Sequence, residues 1–151
     1  MTVLITGHRG VLGSELMKRY PMATGGDRNC EVWHSMSLAY LCGGTKGWAE
    51  NEGRRDIFRY DVDGDIRLAR NLLKQGAFVV FISTDGVEWG ANLAYGRNRL
   101  LVEMALIMQP NTAIVRPSKF DASSVASLAD LCVDVGKNKR EGLHYWEKKN
   151  E

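Results

Sequence analysis

The opening stretch MTVLITGHRGVLGSELMKRY, Met1 to Tyr20, restricts the fold more than any other part of the chain. Thr2 to Ile5 is short, largely apolar and β-branched, the pattern of a buried parallel strand. Gly7, Gly10 and Gly13 follow at the spacing G-x-x-G-x-x-G, and Val11, Leu12, Leu16, Met17 and Tyr20 then recur with helical periodicity. Strand, glycine turn and helix in that order are the context in which spaced glycines point to a dinucleotide. Glycines let the main chain turn tightly and approach a pyrophosphate, and the N–H groups at a helix start favour its negative charge. An ordinary strand–turn–helix corner that uses glycine for packing is the plainer alternative.

The 151 residues suit one domain with a substantial core. An apolar content of 44% with 25% charged residues describes a globular chain, and a net charge of +2 is too small to argue for nucleic acid or a membrane surface. The basic residues of the tail (Lys137, Lys139, Arg140, Lys148, Lys149) read as a solvated surface. No run has the length of a membrane span, and the apolar start is too short and glycine-broken for a signal peptide. Cys30, Cys42 and Cys132 suggest neither a disulfide framework nor a zinc site, so a reducing cytoplasm is expected. His34 and His144 lack partners at ligand spacing, and no metal is expected.

Taken in order, Pro21 to Asn29 reads as a turn. Asp27 stands about twenty residues beyond Gly7, near where a dinucleotide fold places an acid for the adenosine ribose. Arg28 beside it suits a ribose 2′-phosphate instead, and either residue also suits a solvated turn. Cys30 to His34 and Ser37 to Cys42 read as extended runs, the second leading into Gly43 and Gly44. Thr45 to Arg55, polar and poorly periodic, reads as a loop or a frayed helical turn. Asp56 to Lys74 reads as the longest helix, weakened in its middle by Gly64, with Asp61, Asp63 and Asp65 solvating it. Ala77 to Ser83 is the most strand-like stretch. Leu93 to Met108 is a helix burying Leu93, Leu100, Leu101, Met104 and Ala105, and Thr112 to Val115 is a further strand. Ser123 to Gly136 is a helix that Ser123 or Ser124 would cap, and Leu143 to Trp146 is a short final strand.

The alternation predicts an α/β fold with a mostly parallel sheet between two layers of helices. Ligands in such sheets lie beyond the carboxyl ends of the strands. That rule gathers Gly7 to Gly13, Cys42 to Thr45, Ser83 to Asp85 and Arg116 to Ser118 on one rim. The rim also offers Tyr95 and Arg99, four apart on one helix face. A tyrosine can protonate a carbonyl that receives hydride when a nearby cation stabilises its phenolate, and the hydroxyl of Thr84 could hold the carbonyl oxygen.

Thr6-Gly7-His8-Arg9-Gly10-Val11-Leu12-Gly13, the strand ending Ser83-Thr84-Asp85, Tyr95 followed at four by a basic residue, and Arg116-Pro117-Ser118 together resemble the extended short-chain dehydrogenase/reductases. Within that superfamily the STD segment and the YGRNRLLVE run look most like the dTDP-4-dehydrorhamnose reductases, and GHRGVLGSEL looks more like the GDP-fucose synthases. The resemblance implies one Rossmann-type domain over residues 1–151 that binds NAD(P)H through the glycine turn (Gly7, His8, Arg9, Gly10, Val11, Leu12, Gly13), Asp27 or Arg28, Cys42, Gly43 and Gly44, Arg99, and Arg116, Pro117 and Ser118. It implies Tyr95 as catalytic acid/base, with Thr84 and Ser83 in the catalytic group and Arg99 in the place of a lysine that binds the nicotinamide ribose. Arg9 matches a basic position used against the 2′-phosphate, which with Arg28 favours NADPH over NADH. An Asp27 carboxylate aimed at that phosphate would reverse the preference.

Departures accompany the matches. Arg99 keeps the cation but changes its shape and hydrogen-bond fork. Gly86 and Glu88 replace aromatic residues, the loop before Tyr95 is short, one crossover helix is missing between the first helix and Gly43, and little of a substrate-binding part follows Trp146. Three readings follow: a minimal NADPH-dependent reductase acting on a nucleotide sugar or a smaller carbonyl, a nucleotide-binding protein without turnover that serves regulation or assembly, and a remnant that binds nothing. The family pattern adds a homodimer packed through the two long helices.

Overall fold

The computed structural model of the chain describes residues 1–27, 35–43, 62–85, 87 and 94–149, of which 94 and 95 by backbone alone. Among them six strands form one parallel sheet. In chain order the elements are β1 (Val3–Thr6), α1 (Val11–Arg19), β2 (Thr24–Gly26), β3 (Leu38–Leu41), α2 (Gly64–Lys74), β4 (Phe78–Ile82), α3 (Ala94–Leu106), β5 (Thr112–Pro117), α4 (Val125–Lys137) and β6 (Gly142–Trp146). The sheet order is β2-β1-β3-β4-β5-β6. Register places Thr6 beside Leu41 and beside Gly26, so β1, β2 and β3 end on one rim.

Strands β1, β3 and β4 are buried along their whole length because helices cover both faces. Alternate side chains separate the two layers. Val3, Ile5, Leu38, Tyr40, Val80 and Val115 meet Leu12 and Leu16 of α1 and Leu128 and Cys132 of α4. Leu4, Ala39, Leu41, Val79, Phe81 and Ile114 meet Leu68 and Leu72 of α2 and Val102 and Leu106 of α3. The architecture is the expected Rossmann-type α/β/α sandwich.

Several expectations change. The stretch read as a turn after α1 contains β2, a three-residue edge strand that two glycines conceal from propensity arguments; main-chain pairing to β1 holds it. Gly64 is the first α-helical residue of α2 and directly follows a π-helical stretch at 62–63. Residues 28–34 and 44–61, with Arg28, Gly44, the run Cys30 to His34, the loop Thr45 to Arg55 and the first part of the long helix, lie outside the described residues, as do Gly86 and Glu88. Asp65 is fully buried instead of solvating its helix, because it faces a buried arginine.

The buried side of α3 also differs from the apolar pattern. Leu101 and Met104 face solvent, Met104 at 65% exposure, while Asn98, Arg99 and Glu103 are buried beside Val102 and Leu106. Hydrophobicity alone selects the wrong face, because one buried ion pair ties this helix to α2 (Arg99–Asp65) and another ties it to β5 (Glu103–Arg116).

The start of α4 is held by Asp121 in place of either serine. Its Oδ1 accepts the N–H of Ser123 at 3.0 Å and that of Ser124 at 3.2 Å, while Lys148 pairs with Oδ2 at 3.1 Å. The hydrogen bond from the Ser123 side chain, then Lys148, holds the Asp121 carboxyl far below the usual carboxylate range. A carboxylate depressed on folding stabilises above its unfolded value of about 4 and loses that contribution as pH falls further. Asp121→Ala should therefore lower the melting temperature at pH 7, and the gap from wild type should narrow in melts run progressively below about pH 4. A gap that widened in acid would refute this assignment.

Candidate nucleotide crevice

The chain moves outward from β1 to β2 on one side and then returns to β3 on the other, so the sheet reverses its winding direction between β1 and β3. A crevice beyond the strand ends at such a reversal is where open α/β sheets place ligands. Thr6 ends β1 fully buried, and Gly7 turns the chain at φ +64°, a conformation that side chains disfavour. A Cβ on Gly7 would lie 2.8 Å from the Gly43 nitrogen and 2.9 Å from the Cys42 carbonyl carbon. The two strand ends thus touch through their backbones.

The other two glycines differ in what they need. A Cβ on Gly13 would sit 2.0 Å from the Gly7 carbonyl oxygen, so helix α1 closes on the turn only with glycine there. A Cβ on Gly10 would meet only that same oxygen, at an ordinary 3.4 Å. Gly10 precedes α1 with unstrained dihedrals, and its N–H donates to the Gly7 carbonyl at 3.0 Å. The fold requires glycine at 7 and 13; at 10 it leaves room for something to approach. The amides of the first turn of α1, at Val11, Leu12 and Gly13, have no acceptor within a helix. Val11 is exposed there, whereas the Leu12 side chain belongs to the core.

Around this turn, the His8 ring packs where a Cβ of Gly25 would stand, 2.5 Å from its Cγ. Arg9 is exposed in the turn and Asp27 is exposed just beyond β2. Cys42 is half-buried at the end of β3; burial raises its thiol well above the ordinary range, against the opposing influence of Arg99.

Tyr95 is the second residue of α3, and Thr84 follows β4 half-buried, its hydroxyl 3.5 Å from Asp85 Oδ1. Arg99 is only 2% exposed, and its Nη1 lies 3.1 Å from Asp65 Oδ2. Its Nη2 donates to the Gly43 carbonyl, and its guanidinium lies 5.1 Å from the centre of the Phe81 ring. Arg99 therefore reaches into the crevice floor, not over it. Ser83 is buried and donates to Glu103 Oε2 at 2.5 Å. Arg116 meets the same carboxylate, Nη2 to Oε1 at 2.6 Å and Nε to Oε1 at 3.0 Å, and also donates to the Tyr145 hydroxyl at 3.1 Å. Pro117 pairs with Trp146, and the Ser118 hydroxyl accepts the Lys148 N–H at 2.9 Å.

Glu103 is the residue that sequence reasoning missed. Its signal was available: Tyr95, Arg99 and Glu103 recur every fourth position, placing a charge on the inner face two turns past the tyrosine. Glu103→Gln keeps the shape but removes the charge facing Arg116, and should cost about 2 kcal/mol of unfolding free energy in urea titrations. A loss indistinguishable from zero would mean that this pair contributes nothing.

Among the described residues no cluster of histidine, cysteine and carboxylate could hold a metal ion, and no helix is long and apolar enough to cross a membrane. No family model and no curated protein matches the sequence. Solved structures do share its fold. A dTDP-4-dehydrorhamnose reductase from Clostridium acetobutylicum aligns with TM-score 0.84 over 99% of this chain and 75% of its own, at 20% identity. The corresponding reductase from Yersinia enterocolitica aligns with TM-score 0.82 over 95% and 73%, at 14% identity. RMD from Pseudomonas aeruginosa, solved with NADPH, aligns with TM-score 0.61 over 78% and 53%, at 13% identity. The chain thus has the fold of the extended short-chain dehydrogenase/reductases, the superfamily that its motifs resemble.

Proposed function

We propose that this protein binds a nicotinamide dinucleotide, NADPH in preference to NADH, and reduces a carbonyl compound. The observation that carries this reading is the contrast between the glycines: Gly7 and Gly13 are demanded by the protein's own backbone, and Gly10 is not. A glycine that the fold does not need, at the start of a helix beside the sheet's reversal point, suits a diphosphate. Gly7 to Gly13 and Gly43 would hold it. The bound dinucleotide would supply the hydride.

In this reading Tyr95 donates the proton to the carbonyl oxygen and Thr84 holds that oxygen by a hydrogen bond. Arg99 supplies positive charge one turn from Tyr95. Arg9 and Arg28 meet the 2′-phosphate, which arginine's planar fork suits. The substrate is a nucleotide sugar, as for the neighbours' names, or a smaller carbonyl. A homodimer is part of the proposal; Leu101 and Met104 on α3, with Ile107 and Met108 in the turn that follows, the last 86% exposed, give an apolar outer surface for it.

One observation favours the alternative of a dinucleotide-binding protein without turnover. Asp65 faces Arg99 across a buried ion pair and offsets the charge that would stabilise a phenolate. Titration with NADPH and NADH, followed by cofactor fluorescence and thermal shift, tests both readings. Tighter binding of NADPH is expected. Arg9→Ala should weaken NADPH about tenfold and leave NADH nearly unchanged, as loss of a charged hydrogen bond predicts. No response to either nucleotide would remove both readings, and an unchanged NADPH-to-NADH ratio would displace the phosphate contact from Arg9.

A further inference from the structure

The buried pair at Arg99 bears on the crevice itself. Arg99 stands in α3, Asp65 in the first turn of α2 and Gly43 just past β3, and the guanidinium joins all three. Asp65 is 0% exposed, so neither partner is solvated and each fixes the other. Taking either charge away would leave an uncompensated ion in the interior, which holds the geometry in place. Phe81 of β4 lies against the guanidinium, so the fork has a wall behind it.

What the fork holds is a backbone, not a ligand. Gly43 accepts through its carbonyl, and the nitrogen and Cα of the same residue lie 2.8 and 2.9 Å from the position that a Gly7 Cβ would take. The main chain at Gly43 is therefore pressed against the turn that opens the crevice and tied from behind by Arg99. Lysine could not copy this. It carries one nitrogen on a shorter reach, whereas the guanidinium presents separate nitrogens to Asp65 and to Gly43.

We propose that Asp65 and Arg99 are a positioning pair for the dinucleotide crevice: Asp65 sets the guanidinium, the guanidinium sets the Gly43 carbonyl, and Gly43 fixes the wall facing Gly7. This rests on the dinucleotide reading above and gives Arg99 a role through the backbone. It also makes a distinctive demand, because Arg99→Lys should harm binding instead of improving it.

The test uses the full chain with Arg99→Lys, Asp65→Asn and the double variant. NADPH affinity is measured by fluorescence titration, and amide hydrogen exchange is followed at the end of β3 and at Gly43. Arg99→Lys is expected to weaken NADPH about tenfold or more and to speed exchange at residues 41–43. The double variant should lose little more than either single variant, since the two residues act as one unit. NADPH bound by Arg99→Lys as tightly as by wild type, or losses that simply add, would overturn the proposal. Should Asp65→Asn not fold, Arg99→Lys decides alone. Should wild type bind no dinucleotide, the functional reading fails, and exchange at residues 41–43 still judges the clamp: faster in Arg99→Lys supports it, unchanged overturns it.

Discussion

Gly13→Ala is expected to lose about 3 kcal/mol or more of folding stability, while Gly10→Ala, three residues earlier in the same motif, is expected to fold normally and lose its nucleotide. At Gly13 a methyl carbon would fall 2.0 Å from the Gly7 carbonyl oxygen and 2.6 Å from its carbon. Neither atom belongs to a flexible side chain, so relief requires α1 to move away from the turn or the turn from β1. Overpacking a well-filled site costs about 1–3 kcal/mol, and a backbone collision that displaces a helix falls at or above the upper end. Leu12 and Leu16 would leave their places in the core with the helix. At Gly10 the added carbon meets one oxygen at 3.4 Å, and the backbone conformation suits any residue. Alanine there is a slightly poorer helix start than glycine, a loss of about half a kcal/mol. A diphosphate at the turn would instead meet the methyl directly, weakening binding about ten- to a hundredfold. Chemical denaturation and NADPH titration of both variants measure the two effects separately. Equal stability losses would mean that the turn is a packing corner; intact NADPH binding by Gly10→Ala would place the dinucleotide elsewhere.

That contrast shows what was legible in the chain and what was not. The spacing of Gly7, Gly10 and Gly13 between an apolar strand and a periodic helix identified the turn, the parallel sheet and the rim. It did not distinguish the three glycines, because their different burdens come from Gly43 and from the path of α1, both set by tertiary contact. The face of α3 was misread for a related reason. Leu101 and Met104 satisfy an apolar periodicity, but Arg99 and Glu103 find Asp65, Ser83 and Arg116 across the fold, and those pairings turn the charged face inward. Partners far apart in sequence leave no local pattern. Asp65 reads as a surface acid because Asp61, Asp63 and Asp65 alternate along the sequence of the helix, and β2 is hidden because glycines can pair in a sheet without any side-chain signature. The cap of α4 goes to Asp121, ahead of both serines, since an ionised carboxylate oxygen is a stronger acceptor for the two amides than a neutral hydroxyl.

Tyr95→Phe carries the largest expected kinetic effect. If the phenol supplies the proton to the carbonyl oxygen, its removal should lower kcat about 10²- to 10⁴-fold, the range of positioned acid–base catalysis. NADPH affinity should stay within about twofold, because the assigned phosphate contacts lie in the turn after β1 and not on α3. Thr84→Ala removes only a hydrogen bond to the same oxygen and should cost about ten- to a hundredfold in kcat. Turnover of a panel of carbonyls by NADPH, with wild type, Tyr95→Phe and Thr84→Ala compared at matched cofactor saturation, separates the roles. Equal rates for wild type and Tyr95→Phe would show that the proton comes from another group. A wild type that binds NADPH and reduces none of the panel would favour the binding protein without turnover, in which the ion pair at Asp65 holds the crevice open and performs no chemistry.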